Sequence, residues 1–437
     1  MSEVGEKGHK FGPTTAISIV VANMIGTGVF TSLGFQLLDI QSAPVIIALW
    51  VTGAILAFCG ALCYAEIGAA LPRSAGEYNY VGQIYHPGLG FVAGWISATV
   101  GFAAPTALAA MTAGAYAQAV NADLSSTLVA IILVIVTVLV HLTTRQRSAR
   151  YQLVFTGLKV LLIVFFIVSA IALVELPQDL RWLPVSADAD IMLSGSVAIA
   201  LIYVTYAYTG WNAATYLAGE IESPERNLPR VLLLGTTVVA VIYVALNAMF
   251  LYVAPMSAMA GEVEVGFIVA GYAYGDLGRQ IVAAMLAVLL ISTVSAMLLA
   301  GPRALQVVGQ DFSVLGFLAQ ENRQGIPQTA ICVQGGVTLL LVLTATFQAV
   351  LVFASFVLAL NTLLTVAGVW VLRRRSPDLA RPFRVPWYPL PMIIYIAITL
   401  WTLVYVALQE PAEVLVAAGL VASGWLFYML SRDRVNA

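Results

Sequence analysis

Eleven stretches of this 437-residue chain run for 17 residues or more with at most one Asp, Glu, Lys or Arg in each. They are Pro13–Leu38, Ser42–Ala65, Pro87–Ala122, Leu124–Val140, Tyr151–Val174, Ile191–Gly219, Val231–Gly261, Gln280–Gly301, Ile326–Leu372, Val385–Gln409 and Val414–Ser431. Only Tyr151–Val174 carries a charge, Lys159. A helix needs about 20 apolar residues to cross a hydrocarbon core of roughly 30 Å, so each stretch reads as a membrane span. Ile326–Leu372 is uncharged over 47 residues, roughly 70 Å as one helix. It is read as two spans split near Ala345–Gln348. The expected fold class is an all-α membrane protein of twelve transmembrane helices.

A water-soluble fold is closed to such a chain. Hydrophobic residues make up 61% of it and charged residues 10%, against roughly 45–50% and 25% in soluble domains. The net charge of −2 gives no sign of a nucleic-acid partner. Cys59 and Cys63 share a helix face, but no His or third Cys lies near them in sequence. Packing is the reading, and neither a metal nor another cofactor is expected. The opening MSEVGEKGHK has no apolar core of a signal peptide, so the first helix is expected to direct insertion.

With twelve spans, both termini share one face. Of the 20 Lys and Arg, 17 fall on that face: Lys7, Lys10, Arg73, Arg145, Arg147, Arg150, Arg226, Arg230, Arg303, Arg323, Arg373, Arg374, Arg375, Arg381, Arg384, Arg432 and Arg434. The opposite loops carry Asp123, Glu175, Asp179, Asp188, Asp190, Glu262, Glu264 and Glu410. Positive charge marks the cytoplasmic side. A multi-pass plasma-membrane protein with both termini cytoplasmic is expected.

Two spans are interrupted. The first contains Asn23-Met24-Ile25-Gly26-Thr27-Gly28-Val29-Phe30, and the sixth Tyr203-Val204-Thr205-Tyr206-Ala207-Tyr208-Thr209-Gly210-Trp211-Asn212. Glycine inside a helix costs about 1 kcal/mol relative to alanine. Close helix packing explains one such site. Two at corresponding positions of two five-helix halves point instead to the binding site of an inverted-repeat transporter. An unwound helix offers N–H groups and a positive dipole end to a carboxylate, and freed carbonyls to an ammonium group. A zwitterionic amino acid supplies both. One membrane domain then covers 1–437: a cytoplasmic tail at 1–12, a first repeat at 13–175, a second at 191–372, and helices 11 and 12 at 385–431.

Five segments carry a resemblance. They are IGTGVF at Ile25–Phe30, LPRSAGEYNYVGQIYHPGLGFVAGW at Leu71–Trp95, YAYTGWNAATYLAGEIESPERNLPR at Tyr206–Arg230, GPR at Gly301–Arg303, and RPFRVPWYPLP at Arg381–Pro391. In order and spacing they resemble the amino acid–polyamine–organocation family, whose members look like LeuT-type transporters. The resemblance implies that the amides of Gly26, Thr27 and Gly28, beside Ile25, bind the substrate carboxylate. It gives the ammonium group to the carbonyls of Met24, Tyr206 and Thr209. Tyr206 matches an aromatic that closes over the substrate, and Tyr208 and Asn212 follow on the unwound segment. Glu66, Arg73, Glu77 and Tyr78 resemble parts of an inner gate; a solvated charged loop is the plainer account of them.

Lys159 stands inside a span, where a charge costs at least about 2.5–3.5 kcal/mol. Burial disfavours the charged ammonium, so proton release is able to alternate with conformation. The resemblance places this lysine beside the first break, where sodium-driven relatives hold a cation. Both proton symporters and several exchangers of the family have it. Proton-coupled symport is the expectation, exchange without obligatory ion coupling the alternative. Ser292, Thr293 and Ser295 are candidate sodium ligands or, more simply, partners of backbone carbonyls.

The expected pocket walls are Gly101, Phe102, Ala103, Ala104 and Pro105 on the third span, with Ser292, Thr293 and Ser295 on the eighth. They carry no charge, so a small neutral amino acid is the expected substrate. Eukaryotic exchangers of the family join a heavy subunit through a cysteine in the third-to-fourth loop. Residues 121–126 contain none, so no disulfide-linked heavy subunit is expected. The short tails suggest a bacterial inner membrane. A channel needs a continuous polar pore or charged rings, which these spans lack. No metalloprotease or serine-hydrolase motif is present, and no enzymatic activity is expected.

Overall fold

The computed structural model describes residues 12–143, 149–192, 194–322 and 325–432. Lys7, His9 and Lys10 of the expected tail lie outside the described residues, as do Arg145, Arg147, Arg323, Arg434 and the side chains of Arg150 and Arg432. Among the described residues all regular structure is helical.

In chain order come α1 (Pro13–Met24), α2 (Gly28–Gln36), α3 (Ala43–Ala70), α4 (Gly76–Ile84), α5 (Pro87–Ile96), α6 (Ala103–Val120), α7 (Ser126–Thr143) and α8 (Ala149–Leu173). They are followed by α9 (Ser186–Met192), α10 (Gly195–Tyr208), α11 (Pro224–Val253), α12 (Met256–Met259), α13 (Val265–Asp311), α14 (Gln328–Thr344) and α15 (Phe347–Arg375). The last two are α16 (Leu390–Gln409) and α17 (Pro411–Arg432). A π-helical turn, Ser97–Gly101, joins α5 to α6, and a 3₁₀ turn, Ala213–Glu220, follows α10.

Local chemistry explains these ends. Proline opens α1, α3, α5 and α11 within the first two positions, where its missing N–H has no intrahelical partner to lose. Thr346 caps α15, its hydroxyl accepting from Ala349 N–H at 3.2 Å, and Arg373, Arg374 and Arg375 face the dipole at its other end. The long uncharged run does split where length demanded, α14 ending at Thr344 and α15 starting at Phe347.

Ten helical stretches are long and apolar enough to cross a membrane, and the pair Ser186–Met192 and Gly195–Glu220, bent by 69°, makes an eleventh. The twelfth expected span is α14, whose 17 residues reach only about 25 Å. The eighth span differs from expectation. Instead of stopping at Gly301, α13 runs on through Pro302 to Asp311, and it breaks earlier, at Gly275 with φ 70. The third span, Pro87–Val120, carries a π-helical turn at Ser97–Gly101.

Burial sorts the helices into two shells. All nine residues of α2 are buried; α10, α11 and α13 pack against it, and α3 and α10 carry some of the largest packed side chains, Trp50, Tyr64 and Tyr208. On α8, by contrast, Leu161, Phe165 and Val168 stay exposed, as a lipid-facing surface requires. Toward one end, Glu66 of α3 ties three elements together. Its carboxylate accepts from Arg373 Nε at 2.8 Å and Nη2 at 2.6 Å, and from Val385 N–H at 2.7 Å. Arg381 Nε lies 3.6 Å away, and the Arg373 guanidinium stacks 3.8 Å over the Tyr388 ring.

Removing one partner of a buried pair leaves an uncompensated charge and costs roughly 3–5 kcal/mol. Arg373→Ala should therefore destabilise the protein by about 3 kcal/mol, the low end because Arg381 remains close. The shift of the unfolding midpoint in mixed micelles checks this; an unmoved midpoint refutes it.

Candidate functional site

The first break begins where α1 stops. Ile25 leaves the helical region at φ −74, ψ 87, and Gly26 N–H turns back to Met24 O at 2.8 Å. Helix α2 restarts at Gly28, and its first backbone bond is Phe30 N–H to Thr27 O at 2.9 Å. The amides of Thr27, Gly28 and Val29 precede that bond and form the positive end of α2. The second break follows the same plan. Thr209 extends at φ −57, ψ 154, Gly210 takes φ +97, and the chain tightens into the 3₁₀ turn from Ala213.

The breaks cross each other. A Cβ on Gly210 would lie 2.8 Å from both the carbonyl carbon and oxygen of Asn23, and one on Gly28 would lie 2.6 Å from Ala207 Cα. Only glycine fits at either place. The freed carbonyls find partners nearby. Met24 O accepts from Gly26 N–H and from Tyr243 OH at 2.5 Å. Tyr206 O accepts from Thr209 N–H at 2.9 Å and Thr209 Oγ1 at 2.7 Å. Lys159 donates to Ile25 O at 3.1 Å and to Thr293 Oγ1 at 3.3 Å. Among the described residues, the Thr209 carbonyl has no hydrogen bond of its own.

A cavity of about 2260 Å³ opens from this crossing. Met24, Gly26, Thr27, Gly28, Tyr206, Thr209, Asn212 and Lys159 line it, as do Gly101, Phe102, Pro105, Ser292, Thr293 and Ser295. It runs on to Ser74, Glu220, Arg303 and Gly325, so it opens on the face that bears Arg73. The other end is shut. Phe35 stacks on Phe347 at 5.7 Å and packs on Tyr203 at 5.8 Å. Ser32 Oγ donates to Tyr203 O at 3.2 Å, and Gln348 Nε2 to Tyr203 OH at 2.9 Å.

Several expected residues sit elsewhere. Tyr208 points away from the cavity: its hydroxyl donates to Trp50 O at 3.1 Å, and its ring packs on Trp50 and Tyr243. Two positions along a helix turn a side chain by about 200°, so Tyr206 and Tyr208 face opposite ways. Ile25 is buried off the cavity, and Ala103 and Ala104 pack behind its wall. Of the loop residues, Glu66 is absorbed by Arg373 and leaves the cavity untouched. Arg73 Nη2 lies 3.6 Å from Asp311 Oδ2. Tyr78 lines the cavity and donates to the same carboxylate; burial and Asp311 both push its phenol above the ordinary range. Glu77 accepts from Tyr64 OH at 2.8 Å and from Asn212 Nδ2.

The sequence reading missed Tyr243, Ser97, Tyr216 and Asn361. Tyr216 OH bonds Ser97 Oγ at 3.1 Å, and Asn361 Nδ2 reaches the same oxygen at 3.3 Å. Ser97 lies on the π turn, a distortion frequent at functional sites. Asn361 is the one asparagine in the 47-residue uncharged run, which was a signal for it; nothing local marked Tyr243. His141 also lines the cavity, its Nε2 3.0 Å from Ser295 Oγ. Among the described residues no three His, Cys, Asp or Glu gather as a metal site.

Comparison with known proteins agrees with this architecture. The family model described as amino acid permease matches residues 11–429. The b(0,+)-type amino acid transporter 1 of Mus musculus is 26% identical over 434 residues, covering 96% of this chain and 87% of the relative. The large neutral amino acids transporter small subunit 2 of Homo sapiens is 27% identical, with 96% and 80% covered. The Asc-type amino acid transporter 1 of Mus musculus is 27% identical, with 92% and 77% covered. A match along nearly the whole length, on a helical fold with many apolar spans, means that this chain belongs to the amino acid permease family, a transporter and not an enzyme.

Proposed function

We propose that the protein carries a small neutral amino acid across the plasma membrane by alternating access, with the crossing of the two broken helices as the substrate seat. The carboxylate sits on the amides of Gly26, Thr27 and Gly28. The ammonium group sits on the Thr209 carbonyl, beside those of Met24 and Tyr206, and Tyr206 covers it. The observation that supports this reading is that Gly26, Thr27 and Gly28 of the first break and Thr209 of the second line the same cavity. Neutrality of the side chain follows from walls at Gly101, Phe102, Pro105, Ser292 and Ser295 that bear no charge. Of the charged lining residues, Lys159 is bonded to Ile25 O and Thr293 and Glu77 to Tyr64 and Asn212, and Glu220 and Arg303 line the cavity beyond the crossing. A channel reading fits poorly with an aromatic plug at one end.

Exchange has better support than proton symport. Several relatives bear the name of a transporter's small subunit, the class to which the resemblance assigns heavy-subunit exchangers. Lys159, bonded to Ile25 O and Thr293, acts on this reading as a fixed brace of the first break. The basic face is cytoplasmic with both termini, so the cavity described opens inward. Residues 121–126 offer no cysteine, and a disulfide-linked heavy subunit is not part of the proposal.

Purified protein in liposomes tests the mode. Vesicles preloaded with neutral amino acids should take up label at least about tenfold faster than empty ones, with or without a pH gradient. Uptake into empty vesicles that requires an inward proton gradient, and that Lys159→Ala abolishes, would establish symport instead. The seat is tested by Gly28→Val, whose branched Cβ collides with Ala207. Affinity should fall at least about tenfold, roughly 1.4 kcal/mol; unchanged binding moves the site elsewhere.

A further inference from the structure

The loop between α3 and α4 is stitched to the far side of the second break. Ala75 at φ 89 and Gly76 at φ 50 form the turn, and a Cβ on Gly76 would come within 3.0 Å of the Tyr216 ring. Three hydrogen bonds cross the junction. Gly219 N–H donates to Ser74 Oγ at 2.9 Å, Ala75 N–H to Tyr216 O at 3.3 Å, and Asn212 Nδ2 to Glu77 Oε1.

Glu77 is the odd member. It is 1% exposed, and among the described residues no Lys or Arg pairs with it. The groups facing it are neutral: Tyr64 from α3, Tyr80 on its own helix, and Asn212 and Tyr216 after the break. Its Oε1 takes the bonds from Tyr64 and Asn212, while Oε2 has no partner among the described residues. Burying a carboxylate among neutral donors is costly, and a glutamine would satisfy the same two donors with less penalty. Packing alone therefore does not account for the acid.

Chemistry does. Both bonds run into Glu77 Oε1, so Glu77 acts as an acceptor and holds Asn212 by its NH₂ end. The Asn212 side-chain oxygen is then left free of Glu77, and Asn212 lines the cavity. Gly210, with φ +97, is the most permissive backbone position between Tyr206 and Asn212; on either side the chain is held by short-range bonds, Thr209 N–H to Tyr206 O and Ala213 N–H to Gly210 O.

We propose that Glu77 is a positioning residue for the substrate seat: it clamps the Asn212 amide in one orientation, fixing residues 209–212 and presenting the Asn212 oxygen as a further acceptor for the substrate's ammonium group or a side-chain donor. The proposal rests on the seat proposed above. Glu77→Gln satisfies either end of the Asn212 amide and loses this control. Asn212→Asp faces Glu77 carboxylate to carboxylate and breaks the clamp. The pair Glu77→Gln with Asn212→Asp restores it with reversed polarity: the introduced amide donates, and the second oxygen of the introduced carboxylate faces the cavity.

Two readouts test this on the intact protein in nanodiscs: binding of tritiated L-alanine, and amide hydrogen exchange of residues 209–216, which needs no substrate. Glu77→Ala and Asn212→Asp should each weaken alanine binding about tenfold and speed exchange in that segment, and Glu77→Gln should weaken binding about threefold. The double variant should recover both readouts to within about threefold of wild type. If the double variant is as impaired as the sum of its parts, or if exchange in 209–216 is unmoved by Glu77→Ala, the clamp is overturned. If exchange responds as expected while the wild-type protein binds none of the neutral amino acids, the seat falls and the clamp alone survives.

Discussion

Two backbones touch where each has left its helix, and the rest of this molecule is arranged around that contact. Unwinding frees peptide groups that lipid is unable to satisfy, so the breaks are tolerated only deep inside a bundle. Glycine at 28 and 210 lets the segments approach within van der Waals distance of each other's main chain. The neighbours then meet the hydrogen-bonding demand. Tyr243 from α11 takes Met24 O, Lys159 from α8 takes Ile25 O, and Thr293 from α13 steadies that lysine. Two helices distant in sequence are thus bound to the break by single hydrogen bonds, and a third is joined to it through Lys159. In a low-dielectric interior each such bond is costly to leave unmade. Thr209, whose carbonyl has no hydrogen-bond partner among the described residues, lines the cavity.

Much of this was legible in the chain because the bilayer imposes a one-dimensional rule. Length and charge alone found the apolar stretches and the split before Phe347, since neither depends on who packs against whom. The glycine-interrupted motifs at Gly26–Gly28 and Gly210 were legible for a similar reason: they violate helix propensity where a helix is required. What stayed hidden is relational. Tyr208 reads like Tyr206 in sequence, yet half a turn of helix sends it to Trp50 instead of the cavity. Glu66 and Glu77 both border the first connecting loop. Only the fold pairs Glu66 with Arg373, 307 positions away, and leaves Glu77 among phenols. Tyr243 lies in an ordinary apolar span, and its value comes from the one carbonyl it meets.

Different interactions stand at the shut end and the open end of the cavity. On the shut side, Phe35, Tyr203 and Phe347 make aromatic contacts, each contributing roughly 0.5–1.5 kcal/mol beyond area burial. The hydrogen bonds of Ser32 and Gln348 to Tyr203 are local and few. On the open side, Arg73 and Asp311 stand 3.6 Å apart with side chains 64% and 32% exposed, a pair worth about 0–1 kcal/mol. Neither set of contacts is strong. The difference between them is of the size that one small zwitterion is able to bias, because a ligand shifts such an equilibrium only by its differential affinity for the two states. An amino acid bridging Gly26–Gly28 and Thr209 touches both broken helices at once. Any rotation that brings the two breaks closer strengthens both halves of that grip together. On the proposed reading the crossing serves at once as the recognition element and as the place where binding energy is turned into motion.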